Sequence, residues 1–247
     1  REFQQFGVIR GLCDRDGWSR RWYRWVNQPI ASCQTIAESV SLPSDTLLDP
    51  LTLGLGHDDC PYRQLGGRTK GLYTLSTFFH ESGLNYTKSM SSPVTAFDTC
   101  SRLSTYIAFG CLSIREIYQW HQAQLELLGH YSPYEQQLWR SAHRSFSARL
   151  RWHCHFIQKL EDEPEIEFRN MHAAYDNLRD SCESNSLFDR WKSGETGYPM
   201  VDACMRCLIK TGYMNFRMRA LLMSFASYHL WLDWRRTAPF LAQQFTD

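Results

Sequence analysis

Apolar residues recur along this chain with the 3.6-residue period of helices and almost nowhere with the alternation of strands. In "WSRRWYRW", residues 18 to 25, Trp18, Trp22 and Trp25 share one face while Arg20, Arg21 and Arg24 mostly occupy the other. That spacing predicts a packed amphipathic helix, whose basic and aromatic mixture could also touch nucleic acid. From about residue 28 to 65, Pro, Gly, Ser and Asp recur without sustained period, which predicts a connecting segment long enough to link something or to line a site. After Gly66 and Gly67 helical spacing resumes with Leu72, Leu75, Phe78 and Phe79, and stops at Gly83. A helix is expected over 100–118 and a long one over 136–160, with Trp139, Phe146, Leu150, Ile157 and Leu160 on its core face. Pro199 suits a first helical turn, because its missing N–H is an orphan there anyway, and Val201, Met205, Leu208 and Ile209 carry the period on to Gly212. A further helix follows over 215–232. The expected fold is all-α and multi-helical, with residues 1–65 as a leading helix and linker and 66–247 as the helical domain. A sheet of three or more strands within 66–247 would contradict it.

Composition narrows the class. With 247 residues, 43% of them hydrophobic, the chain can bury a sizeable core, and one domain is expected. Aromatic residues make up 14%, including nine Trp, which suits a large core or a ring-lined pocket. A formal net charge of +1 means that any nucleic-acid surface has to be a local patch. The nine Cys are irregularly spaced, and Cys204 and Cys207 form the one CxxC, without the second pair that a structural zinc site needs. No metal site is expected, and the thiols point to a reducing compartment. No run of about 18 apolar residues occurs and the N-terminus lacks a signal pattern, so a soluble cytoplasmic protein with no membrane partner is expected.

Three stretches carry chemistry. In "TCSRLSTYIAFGCLSIREIY" two Ser and an Arg precede an apolar run, an arrangement that suits a phosphate at a helix start or simple capping of that helix. Ser113 with Glu116 matches a capping box. On the 136–160 helix, Arg140, Arg144, Arg151 and His155 fall along one side, and Arg149, Trp152, His153 and Phe156 form another set. Cations beside ring planes suit a stacked, electron-rich ligand, and equally an Arg stem packed on a surface Trp. Arg217 and Arg219 sit at a helix start, opposing its dipole, and therefore call for an anionic partner.

Taken in order, these motifs resemble a known family. "WKSGETGYPMVDACMRCLIKTGYMNFRMRALLMSFASYHLWLDWR" resembles the flavin-binding core of the photolyase/cryptochrome family, with its W-x-x-G-x-T-G-x-P-x-V-D-A-x-M-R, T-G-W, N-R-x-R and D-W-R elements. "CSRLSTYIAFGCLSIREIY" is similar to the family's phosphate-contacting T-S-x-L-S-P-Y-L-x-x-G-x-x-S, and the helix around Trp152 resembles the one that carries its lesion-stacking Trp. The likeness spans roughly residues 86 to 247. It implies the helical FAD-binding half of a longer protein, with the α/β antenna-binding domain absent ahead of it and the C-terminal end truncated, so that FAD is expected to be weak or absent on these 247 residues.

Carried over by position, the resemblance assigns FAD to Tyr86, Cys100 (where the family usually has Thr), Ser101, Arg102, Leu103 and Ser104. It places Arg219 beside the isoalloxazine, paired with Asp247. Asp202 and Arg206 brace the helices around the pocket. Trp152, with His153 and the Arg140, Arg144 and Arg151 stripe, would meet damaged DNA, and Trp234 matches the middle tryptophan of the chain that re-reduces the flavin. The implied activity is blue-light-driven electron transfer from reduced FAD to a flipped pyrimidine lesion, by a deoxyribodipyrimidine photolyase-like lyase acting as a monomer beside its antenna domain. Departures cluster at the lesion pocket. Arg149 stands where dimer-repairing members have Glu, His153 replaces Arg, Phe216 replaces Asn, Tyr213 replaces Trp and Ala220 replaces Met, while the distal Trp of the electron chain aligns near Ser181. The alternatives are a cryptochrome-like photoreceptor without repair activity and a flavin module that has lost its light chemistry.

Overall fold

The computed structural model describes residues 3–32, 46, 48–56, 58, 60–179 and 184–247. Among these there is no strand, and eleven α-helices follow in order: α1 (Trp18–Val26), α2 (Arg68–His80), α3 (Tyr86–Ser89), α4 (Ala96–Thr99), α5 (Ser104–Ala108), α6 (Ile114–Glu126), α7 (Pro133–Asp162), α8 (Asn185–Ser193), α9 (Pro199–Thr211), α10 (Phe216–Ser224) and α11 (Trp234–Gln244). The spacing of the tryptophans on α1 becomes burial: Trp18, Trp22, Trp25 and Val26 all face inward. Trp22 and Trp25 share a core with residues of α2, α5, α6 and α7, so the leading helix is built into the helical body. A second core, around the fully buried Trp191, joins α8, α9, α10 and α11.

Two expected helices change shape. The helix expected over 100–118 is two, because the Ser113 hydroxyl accepts the Glu116 N–H in a capping box that requires an extended Ser113 (φ −87°, ψ 151°). Gly110, at φ 67°, turns the chain between them. The helix expected over 215–232 runs to Ser224 and then widens into a π-helical turn over Phe225–His229. Helix α7 instead begins earlier than residue 136, where Ser132 and Glu135 form a capping box ahead of Pro133.

The core face of α7 also drifts. Trp139, Phe146 and Leu150 are buried as their period demands, but the next buried positions are Cys154 and Gln158, while Leu160 is exposed. The cause is Ile9, ahead of α1, together with Trp18 at its start. Gln158 Oε1 accepts the Ile9 N–H at 2.7 Å and the Trp18 indole N–H at 3.2 Å, and Gln158 Nε2 donates to the Ile9 carbonyl at 3.0 Å.

At the other end, α9 stops at Gly212 in the left-handed region (φ 64°). The Gly212 carbonyl accepts the Thr246 N–H at 2.9 Å, and a Cβ on Gly212 would fall on Thr246 Oγ1. Gly212→Ala therefore combines backbone strain with a collision, for a loss of about 2 kcal/mol. Thermal melts should show a midpoint about 4–8 °C lower; an unchanged midpoint would mean that the segment at Thr246 yields freely.

Candidate functional site

The two cores meet along α7 and the turn between α9 and α10. Asn215, at the N-cap of α10, uses its side chain as a cross-tie: Nδ2 donates to the Met90 carbonyl at 3.1 Å and the Ser92 carbonyl at 3.4 Å. The junction encloses a cavity of about 470 Å³. Tyr86 and the run from Cys100 to Ser104 form one wall, Arg149 and Trp152 of α7 a second, and the Tyr213–Phe216 turn with Arg217, Arg219 and Asp247 a third. Three segments far apart in the chain thus converge on one hollow.

Charge inside it is unbalanced. Arg102, Arg149, Arg217 and Arg219 line the cavity against a single carboxylate, Asp247. Arg219 Nη2 donates to both Asp247 oxygens, at 2.8 and 2.9 Å, its Nε donates to the Met214 carbonyl at 2.9 Å, and its guanidinium lies 3.9 Å over the Phe245 ring. Arg102 is held differently. Its backbone is left-handed (φ 55°), and its guanidinium lies 3.7 Å from the Tyr213 ring centre and 4.3 Å from that of Phe97. Burial works against its charge and lowers its pKa. Its Nε is buried without a hydrogen-bond partner.

Arg149 lies 4.3 Å over the Trp152 ring. Trp152 itself stays 44% exposed, so its outer face is free to receive a ring, and Phe216 stands across from Phe156 in a stacked pair with centres 6.4 Å apart. Burial pushes the Tyr86 and Tyr213 phenols and the Cys100 thiol up, so these groups remain neutral at ordinary pH.

The turn before α9 is self-bracing. Asp202 accepts the Thr196 N–H at 2.8 Å, the Thr196 hydroxyl at 2.6 Å and the Gly197 N–H at 2.9 Å, while Arg206 Nη1 donates to the Gly194 carbonyl at 2.6 Å. Burial by itself would raise the Asp202 carboxyl, but the bonds from Thr196 and Gly197, with Arg206 nearby, hold it below the usual carboxylate range. Neither residue lines the cavity, and both set the position of the wall that does.

The structure brings Tyr86, Cys100, Ser101, Arg102, Leu103, Ser104, Arg149, Trp152, Phe216, Arg219 and Asp247 together. It does not bring the others. His153 sits behind the wall, its Nδ1 3.9 Å from Cys154 Sγ, and burial lowers its pKa against a smaller upward pull from Asp247. Trp234 starts α11 away from the cavity lining, its indole N–H donating to Asn170 Oδ1 at 2.7 Å. Arg140, Arg144 and Arg151 line a separate groove, because their positions fall about half a helical turn round α7 from Arg149. Position 181 lies outside the described residues. Arg217, whose place at a helix start calls for an anionic partner, lines the cavity; Asn215 was not singled out and was legible only as the first letter of "NFRMR", since an N-cap side chain that leaves its own helix uncapped has no sequence signature. Among the described residues no group of three or more His, Cys, Asp or Glu is placed to hold a metal ion, and no helix is long and apolar enough to cross a membrane.

Known proteins resemble this chain. A family model described as the FAD binding domain of DNA photolyase matches residues 146–247. The deoxyribodipyrimidine photo-lyase of Streptomyces griseus is 30% identical over 220 residues, covering 87% of this chain and 43% of that protein. Among solved structures, a cryptochrome from Synechocystis sp. superposes with a TM-score of 0.63 at 27% identity, covering 85% of this chain and 41% of its own. The archaeal photolyase from Sulfolobus tokodaii, solved with two FAD molecules, gives a TM-score of 0.55 at 31% identity over 74% of this chain and 36% of its own. The chain spans less than half the length of these relatives.

Proposed function

This chain belongs, through the domain centred on residues 146–247, to the DNA photolyase/cryptochrome family, and we propose that the cavity between its two cores is a flavin site serving light-driven electron transfer to a pyrimidine lesion in DNA. The observation that carries this reading is the cavity's four arginines against one carboxylate, with aromatic walls beside them. That inventory fits FAD. The diphosphate needs cations and hydroxyls, supplied by Arg102, Ser101 and Ser104, and the buried, unpartnered Arg102 Nε is a donor awaiting an acceptor. Arg219, clamped on Asp247, stands where a polar ring edge would be held.

Bound and reduced, FAD supplies a photo-excitable electron donor. The chain's own residues do the rest. Trp152, open on one face, offers a platform for a base turned out of the duplex, with Phe216 on the other side of the mouth. The apolar parts of the walls exclude water, and the arginines steady negative charge. Trp234 belongs to the proposal as an electron relay set back from the cavity. Damaged DNA is the proposed substrate, and an antenna-bearing domain and a monomeric state complete the reading.

One observation favours a second reading. Arg149 is a pure hydrogen-bond donor stacked on Trp152, where a repair site calls for an acceptor facing the pyrimidine N–H. A photoreceptor without repair activity would tolerate it. The experiment loads the protein with reduced FAD, adds an oligonucleotide carrying a thymine dimer, and follows dimer loss under blue light for wild type and Arg149→Glu. The repair reading expects measurable splitting that rises in Arg149→Glu, by a charge-assisted bond of roughly 1.5–3 kcal/mol. No light-dependent loss in either protein, at equal FAD content, would overturn the repair reading.

A further inference from the structure

The Tyr213–Asn215 turn borders a second hollow, of about 350 Å³, and forms a common wall between it and the flavin cavity. Its other sides come from α9, α10 and the segment at residues 93–97. Sulfur is what distinguishes it. Nine Cys and seven Met are spread over 247 residues, so chance would bring about one of them into a lining of this size. Five are there: Met200, Cys204 and Cys207 of α9, Met214 of the turn and Met218 of α10. No acidic, basic or histidine residue joins them, and nothing in the flavin reading uses the α9 and α10 members.

The period of α9 brings its three sulfurs to one side. With 3.6 residues per turn, positions 200, 204 and 207 fall within about 60° of one another. The rise is about 4.5 Å from Cys204 to Cys207 and about 6 Å from Met200 to Cys204, gaps that a thiol and an unbranched thioether can close. Cys204 is buried and Cys207 exposed, and both are free thiols, with Cys207 Sγ 4.0 Å from Thr211 Oγ1. Met214 and Met218 are buried, whereas Met200 is 52% exposed. Packing alone accounts for the buried methionines, since thioethers fill irregular gaps. It does not account for Met200 and Cys207, which stand open to solvent beside a hollow whose inner wall is already sulfur.

We propose that this hollow binds a soft monovalent metal ion, Cu(I), on the Cys204 and Cys207 sulfurs, with the thioethers of Met200 and Met218 completing the site. The CxxC that lacks the second cysteine pair of a zinc site finds thioethers in its place. That donor set chooses among metals. Thiolate and thioether sulfur suit Cu(I), whereas magnesium and calcium need oxygen ligands and zinc a full set of cysteine, histidine or carboxylate. The ion takes the place of the thiol protons, which leave to solvent, and no oxidation state changes. Room for the sulfurs to turn onto the ion is already present in the hollow, so α9 and α10 need not move.

The test offers Cu(I), without oxygen, to the flavin-free full chain in competition with bicinchoninate, a chelator that lone thiols do not strip. One equivalent of copper should pass from the coloured chelate to the protein, and its X-ray absorption should show sulfur neighbours alone. Cys207→Ala, at an exposed position, should weaken uptake by more than about a hundredfold, and Met200→Leu, which keeps the shape and removes the sulfur, by about tenfold. Helical circular dichroism of both should match wild type. Cys13→Ala, which removes an exposed thiol elsewhere, should change nothing. The proposal is overturned by a chain that takes no copper from the chelator, by nitrogen or oxygen among the neighbours of the bound metal, or by an uptake that either Cys207→Ala or Met200→Leu leaves unchanged. Flavin is absent from every arm, so the outcome is independent of the flavin reading.

Discussion

Arg219→Leu should cost the protein whatever flavin it takes up on reconstitution while leaving it helical. The side chain is anchored four ways, through the Met214 carbonyl, the two Asp247 oxygens and the face of Phe245, so its guanidinium reaches the cavity already oriented. The two N–H groups of Nη1 remain for bound FAD, and two charge-assisted contacts at roughly 1.5–3 kcal/mol each place the loss at about a hundredfold or beyond. Arg219→Lys should recover part of it, since a point charge remains but the planar fork does not. The measurement is visible absorption after reconstitution and gel filtration, with the melting midpoint of each flavin-free protein recorded alongside. Because Arg219 also ties residue 214 to the chain at 245–247, a modest loss of stability is expected without flavin. Stoichiometric yellow colour on Arg219→Leu would remove this residue from the site and with it the placement of the flavin ring.

The second large effect is structural and falls on Asp202. Its carboxylate is buried and serves three donors in the turn before α9. Asp202→Ala leaves the Thr196 and Gly197 N–H groups unmatched, a loss of about 2–3 kcal/mol, or about 5–10 °C in the melting midpoint of a chain this size. The pH dependence follows from the direction of the shift. The folded carboxyl titrates below its unfolded value of about 3.9, so its contribution is fully present above that pH and is lost as pH falls through the folded value. The stability difference between wild type and Asp202→Asn should therefore be constant from neutral pH down to about 4 and should shrink below it. Denaturant midpoints measured across that range would show it, and a difference that grows on acidification would mean that Asp202 is not held as a carboxylate.

Local chemistry made some elements legible before any packing was known. Pro199 and Gly212 mark the two ends of α9 with no help from the rest of the chain, because a missing N–H and a left-handed φ are properties of single residues. The three tryptophans of α1 likewise fix a buried face through their spacing. The break between α5 and α6 was written in Ser113 and Glu116, and a continuous helix over 100–118 overlooked that a capping box needs an extended first residue. The end of α7 was not legible in this way. Which residues are buried beyond Leu150 depends on Ile9 and Trp18, some 140 to 149 positions away, seeking hydrogen bonds from Gln158.

The candidate site divides along the same line. Residue types that suit a flavin stand in ordered motifs, and Tyr86, the Cys100–Ser104 run, Arg149, Trp152, Arg219 and Asp247 were all identifiable from them. That these segments close round one hollow, and that Arg140, Arg144 and Arg151 face a different one, is a property of how two cores dock across α7. Sequence period assigns each residue to a side of its helix. It carries no information about what packs on that side, because the partner surface is selected by burial and hydrogen bonding among segments a hundred residues apart.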